Sequence, residues 1–252
     1  MTHTPQPANP RKVEETPEIR DWRQAVANQL QLLARLHGTE LGPAETQVLA
    51  HSRFPRDMAL PPREEPFVSG HRLMVEALAD LRQPTPEQLD DMAADFAAIY
   101  LNGSLHASPN ESAWTDEDGL ERQAAMFELR ECYEAHGLEA EDWRRRQDDN
   151  LSLQLLFLSH LMRSPGSAEL EEVVSVLDTH LLRWLPEFAQ RVAQRCDTAF
   201  YAGLALLTAG YCQSLRQILG TALEIPPPPP PEPKPHRHEE PLTFMPGLTP
   251  SW

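Results

Sequence analysis

The 252-residue chain is poor in the parts from which most enzyme active sites are assembled. Its eleven glycines are scattered near expected helix ends, with no GxxxxGK[ST] loop and no GxGxxG, so a backbone cradle for phosphate is not indicated. HExxH and GxSxG are absent too, which removes the usual signatures of zinc proteases and serine hydrolases. The three cysteines, Cys132, Cys196 and Cys212, form no CxxC and are odd in number. Neither a zinc site nor a disulfide framework is expected, and a reducing compartment suits them. Positive charge is scarce: 22 Lys and Arg stand against 38 Asp and Glu, for a net charge of −16. Residues 1–20 carry three groups of each sign and residues 226–252 two basic and three acidic, so the segment between them holds −15. Binding to a phosphate backbone needs the opposite sign, so basic or neutral partners are favoured over nucleic acid.

Period-two alternation is missing throughout, and β-branched residues are sparse, so no strand is expected. The longest nearly apolar run, Gly203–Cys212, is about half of the ~20 residues a membrane span requires, and the first twenty residues contain no apolar signal region. A soluble, cytoplasmic protein without stable membrane insertion is the expectation.

Proline, by contrast, is abundant and clustered. Of 25 prolines, four fall in residues 1–17 and eleven in residues 226–250, so residues 1–17 and 225–252 read as disordered, Pro-rich tails around a body of residues 18–224. Within that body, periodicity near 3.6 predicts helices at about 18–37, 43–53, 69–82, 86–101, 116–136, 167–182, 186–195 and 198–222. Thr85, Pro86 and Gln88 make a capping box for the fourth, while 55–68 and 102–114 read as loops. The fold class is therefore all-α, a single helical bundle of eight to ten helices with a hinge near residues 180–198.

One further helix organises the rest. Asp148, Asp149 and Asn150 are capping types, and they open the almost wholly apolar run Leu151–Met162, which must be buried on several sides. The result is a central helix with an acidic, polar lip. His160 and His180 lie in apolar helices, where a histidine is usually hydrogen-bonded core rather than a metal ligand. No metal or cofactor is assigned. The run Pro226–Pro231 favours an extended left-handed helix, read either as a spacer or as a ligand for an aromatic-lined groove, and the apolar end Leu242–Trp252 could fold back on the body.

Four ordered segments, spanning roughly residues 95–210, resemble the TorD/DmsD family of redox-enzyme maturation chaperones. Tyr100-Leu101-Asn102 and Pro109-Asn110-Glu111-Ser112-Ala113-Trp114 resemble the family's Y-x-x-L-F and P-Y-E-S-x-Y elements. Arg130, Tyr133 and Gly137 are similar to R-x-x-Y-x-x-x-G-L, and Arg146–Leu158 to E-P-x-D-H-L-G-L-E-L-x-F-L. His180-x-x-x-Trp184-x-Pro186-x-Phe188, followed by Thr198-Ala199-Phe200-Tyr201, matches H-x-x-x-W-x-P-x-F and T-P-F-Y. The third segment departs from its pattern, with Asn150 at the histidine, Gln147 at the proline, and Arg146 and Gln154 at the glutamates.

The resemblance implies a helical cytoplasmic chaperone, monomer or homodimer, that binds the twin-arginine signal peptide and the apo catalytic subunit of a molybdoenzyme until its cofactor is inserted. Glu111, Asp148 and Asp149, with Asn150 and Gln154 beside them, are the candidates for the peptide's guanidinium groups. Trp114, Trp184, Pro186, Phe188 and Tyr201 are candidates for its apolar segment, and His180 for the hinge. Each has a plainer alternative: the aspartates as helix caps, the aromatics as core, the histidine as a helix-end hydrogen bond. A second function class stays open, a helical adaptor recruiting partners through its Pro-rich tail. An enzyme is not expected.

Overall fold

Thr16 starts the first helix by accepting a hydrogen bond from the Ile19 N–H at 3.4 Å, with Pro17 in the first turn where its missing N–H costs nothing. The computed structural model describes residues 16–140 and 146–229, and the calls on the tails fall almost entirely outside them. Among the described residues there are ten α-helices and no strand. They are α1 (Pro17–Gly38), α2 (Pro43–His51), α3 (Phe67–Asp80), α4 (Pro86–Phe96), α5 (Ser112–Thr115), α6 (Ala124–Ala135), α7 (Leu151–Arg163), α8 (Ser167–Thr179), α9 (Leu185–Arg195) and α10 (Ala199–Ala222). The all-α expectation holds. No described helix is long and apolar enough to cross a membrane.

Two buried helices, α7 and α10, organise the packing. Along α7, Leu151, Leu155, Leu158 and Met162 have no exposed surface, and α1 lies against it through Val26, Leu30 and Leu33. Arg23 of α1, itself buried, donates to the carbonyls of Met162 and Gly166 at 3.1 Å and to that of Ser164, filling the acceptors left open where α7 ends. Along α10, Gly203 and Gly210 face α3 one helical face apart, and Gly70 of α3 faces back. Absence of side chains on these three positions lets the two backbones come nearly into contact. Helices α8 and α9 cover the remaining sides of α10.

Local chemistry decides the helix ends. The capping box forms as expected, Gln88 N to Thr85 Oγ1 at 3.2 Å and Thr85 N to Gln88 Oε1 at 2.9 Å. Buried Asp95 receives the N–H groups of Asp197 and Thr198 and the Thr198 hydroxyl, which ties the start of α10 to α4. The helix expected at 116–136 begins only at Ala124. Asp116 accepts from the Asp118 and Leu120 N–H groups at 3.0 Å each, and Gly119 takes a φ of +68°, so this stretch spends its backbone donors on a turn. Leu120 and Phe127, expected inside, are consequently 54% and 52% exposed. The helix expected at 86–101 is α-helical only to Phe96 and continues as a π-turn over Ala97–Leu101. The loop expected at 102–114 carries α5 at its end, and the helix expected at 167–182 breaks at His180 into a 3₁₀ turn, Leu181–Arg183.

Where α1, the π-turn and α10 meet, His37 is buried between two hydroxyls. Thr208 Oγ1 donates to the Leu204 carbonyl, so it accepts from His37 Nε2–H at 2.9 Å, and Nδ1 is left to accept from the Tyr100 hydroxyl at 2.6 Å. Burial pushes the imidazole pKa down to about 3. The unfolded chain, with an ordinary histidine, takes up a proton on acidification that the fold refuses. This contribution to stability is complete above about pH 6.5 and declines towards pH 3, by about 2 kcal/mol between neutrality and pH 5. Urea unfolding at pH 7 and pH 5 should show the decline, and His37→Gln should flatten it; an unchanged slope would remove His37 as its source.

Candidate functional site

The segments 109–112 and 148–151 run antiparallel and zip together. Leu151 N donates to the Pro109 carbonyl at 2.8 Å, Glu111 N to the Asp149 carbonyl at 3.1 Å, and Asn150 Nδ2 to Asn110 Oδ1 at 2.9 Å. This bridge brings six of the sequence-predicted site residues into one buried polar layer. Asp149 accepts from Ser112 N at 2.8 Å and Ser112 Oγ at 2.5 Å, and so holds the start of α5 rather than that of its own helix. Asn150 is the cap of α7, accepting from Ser152 N at 3.1 Å. Asp148 carries Arg130, with Nε at 2.9 Å and Nη2 at 2.6 Å, and its carbonyl accepts from the Tyr133 hydroxyl.

Glu111 pairs with His180 Nδ1 at 3.2 Å and accepts from Gln154 Nε2 at 3.1 Å. Gln154 also donates to the Asp149 carbonyl at 2.9 Å. Burial raises the carboxyl pKa values of both Glu111 and Asp149 above the usual range, against the lowering effect of the hydrogen bonds they accept. Glu111, Asp148, Asp149, Gln154 and His180 are all buried, and only Asn150 is partly exposed. The acidic lip expected from the sequence is thus an internal layer whose carboxylates already hold partners.

The aromatic candidates form a second cluster. Trp114 stacks on Trp184 with centroids 6.3 Å apart, Phe188 meets both edge-on, and the Arg191 guanidinium lies 4.4 Å over the Trp114 ring. Trp114 Nε1 donates to the Ser108 carbonyl at 2.8 Å. Pro186 is half-buried in the first turn of α9. Tyr201 stands apart from these rings, against Phe96 and Tyr100, and is linked to them through His37.

Surface access lies elsewhere. A groove of about 910 Å³ runs between the start of α3, the α8–α9 connection and the C-terminal half of α10. Glu64 and Glu65, both exposed, stand at one side, Trp114 and Leu182 line its apolar part, and Pro227–Pro229 border it. Two shallower hollows of about 570 and 640 Å³ adjoin through Tyr100, Leu101, Arg146 and Asn150. Glu64 and Glu65 were missed in the sequence because they lie in a segment read only as loop. The available signal was two adjacent carboxylates between Pro62 and Pro66 at the start of a helix.

Comparison with known proteins fits this helical architecture. A family model described as nitrate reductase delta subunit matches residues 64–190, half of the chain. A chaperone protein TorD from Vibrio cholerae serotype O1, classical Ogawa strain, is 31% identical over 160 residues, covering 60% of this chain and 72% of the relative. The chain belongs to the TorD/DmsD family of redox-enzyme maturation chaperones. Two further relatives of the same name bracket it: one from the El Tor Inaba strain is 33% identical over 155 residues, 58% of this chain and 70% of the relative. The other, from Escherichia coli, is 26% identical over 181 residues, 69% of this chain and 86% of the relative. As a TorD/DmsD-family chaperone the protein is not an enzyme, in keeping with the names its relatives carry. The family match includes Glu64, Glu65 and the whole polar layer, whereas α1 and most of α10 lie outside it.

Proposed function

We propose that this protein acts in the cytoplasm on the apo catalytic subunit of a molybdenum-cofactor oxidoreductase, binding its twin-arginine signal peptide and holding the enzyme back from export until the cofactor is inserted. Membership of a chaperone family supports the general role. The observation that carries the peptide is the groove with Glu64 and Glu65 beside Trp114 and Leu182. A signal peptide presents two guanidinium groups and then an apolar segment, so its receptor needs carboxylates beside an apolar channel. The acidic body would speed encounter with such a cationic peptide, and burial of its apolar part at about 25 cal/mol per Å² would supply most of the affinity. The buried polar layer then serves as the frame: Asp149 and Ser112 hold α5, and α5 presents Trp114 to the groove.

Fluorescence anisotropy with a labelled twin-arginine peptide tests the site. Glu64→Gln with Glu65→Gln should weaken binding about tenfold, as expected for two partly exposed charge contacts, and should reduce its salt dependence. The reading fails if the peptide binds neither protein, or binds both equally with the same dependence on salt.

A further inference from the structure

The largest groove is bordered by the chain's own proline run, and the attachment of that run is specific. After α10, Glu224 adopts a φ of +58°, and Ile225 N donates to the Gly220 carbonyl at 2.8 Å, closing the helix with a reversal that sends the chain back along the body. Proline has no N–H, so only its carbonyl can be gripped through the backbone. Arg216 does this: Nη1 donates to the Ile225 carbonyl at 3.2 Å and Nη2 to the Pro226 carbonyl at 2.6 Å. The same guanidinium is fixed from behind by Asp178, with Nε at 2.9 Å and Nη2 at 2.7 Å. Gly220 makes the reach possible, since a Cβ there would stand 2.2 Å from Arg216 Nη1. Pro227–Pro229 follow, on the groove that Trp114 and Leu182 line.

We infer that Pro226–Pro229 is an internal strap that occupies this groove in the unliganded protein and must be displaced before an extended peptide can enter. A proline run is already extended and loses little entropy on docking, and aromatic-lined grooves are its usual receptors. Tethering keeps its effective concentration high, so weak contacts suffice for occupancy. The strap lowers the apparent affinity of any competitor by the fraction of time the groove is open. It thereby favours a client that offers more than an apolar segment, such as one whose cationic groups also reach Glu64 and Glu65. Competition with the client rests on the peptide site proposed above, whereas occupancy of the groove does not.

Pro227→Ser, Pro228→Ser and Pro229→Ser, combined in the full chain, separate the two. With 5-fluorotryptophan incorporated and the Trp114 resonance assigned through Trp114→Phe, the triple variant should shift that ¹⁹F signal, while Pro233→Ser with Pro235→Ser should leave it in place. The triple variant should also bind the labelled twin-arginine peptide about fivefold or more tightly, as release of a mostly closed state requires. An unmoved Trp114 signal overturns the strap. A moved signal with unchanged peptide affinity overturns the competition, and a moved signal with no peptide binding in any variant overturns the peptide site but leaves the strap standing.

Discussion

Gly70→Ala is expected to destabilise the protein by about 3 kcal/mol, at the upper end of the usual cost of overpacking. Elsewhere in a helix the same change stabilises by roughly 0.5–1 kcal/mol, because alanine is the better helix former. Here the new Cβ would lie 2.2 Å from Leu207 N and 2.7 Å from Leu206 C and Leu207 Cα. All three are backbone atoms, so no rotamer change relieves the overlap, and α3 must move away from α10. Their joint face, including Phe67 and Met74, then loses contact along its length. Gly210→Ala should behave alike, its Cβ meeting Phe67 N at 2.4 Å. Gly103→Ala provides the contrast: φ is +65°, nothing lies within 4 Å, and only local backbone strain of about 1 kcal/mol is expected. Urea midpoints for the three variants decide it. A stabilised Gly70→Ala would mean that the two helices are not in contact at that point.

These glycines illustrate what the sequence conceals. Helices α1, α4 and α7 were legible because their signals are local: an apolar stripe, Thr85 three residues before Gln88, a polar triplet ahead of Leu151. The contact between α3 and α10 joins residues more than a hundred positions apart, and nothing near Gly70 or Gly210 announces it. The start of α6 was misread because its apolar spacing extends back to Leu120, while the deciding interaction is the Asp116 side chain capturing nearby N–H groups. The polar layer was found residue by residue, yet its exposure could not be read. Whether Asp149 faces water or Ser112, 37 residues upstream, depends on a pairing of two loops that leaves no periodicity in either. The groove draws on the proline-bracketed loop, the α8–α9 connection and the tail, three segments joined only by the fold.

Asp149 separates framework from contact most sharply. Asp149→Ala leaves Ser112 N and Oγ buried with their shared acceptor removed, and should cost about 3 kcal/mol, as loss of one side of a buried charged hydrogen bond typically does. Asp149→Asn keeps an acceptor for Ser112 and places an amide nitrogen where Oδ1 has no partner. Since burial already favours the neutral carboxyl, removal of the charge should cost under about 1 kcal/mol at neutral pH. The pH dependence has the opposite sign to that of His37. A carboxyl whose pKa is raised by folding contributes its stability below the unfolded value, near pH 3.9, and loses it as pH rises through the folded value. The Asn variant should therefore gain on the wild type as pH rises across that window. If Asp149 only frames α5, the Asn variant will bind the twin-arginine peptide within about twofold of the wild type, because an exchange of one buried, partnered group leaves the exposed carboxylates in place. A tenfold loss with stability intact would instead make Asp149 a direct contact, reached only after the zip between residues 109–112 and 148–151 has opened.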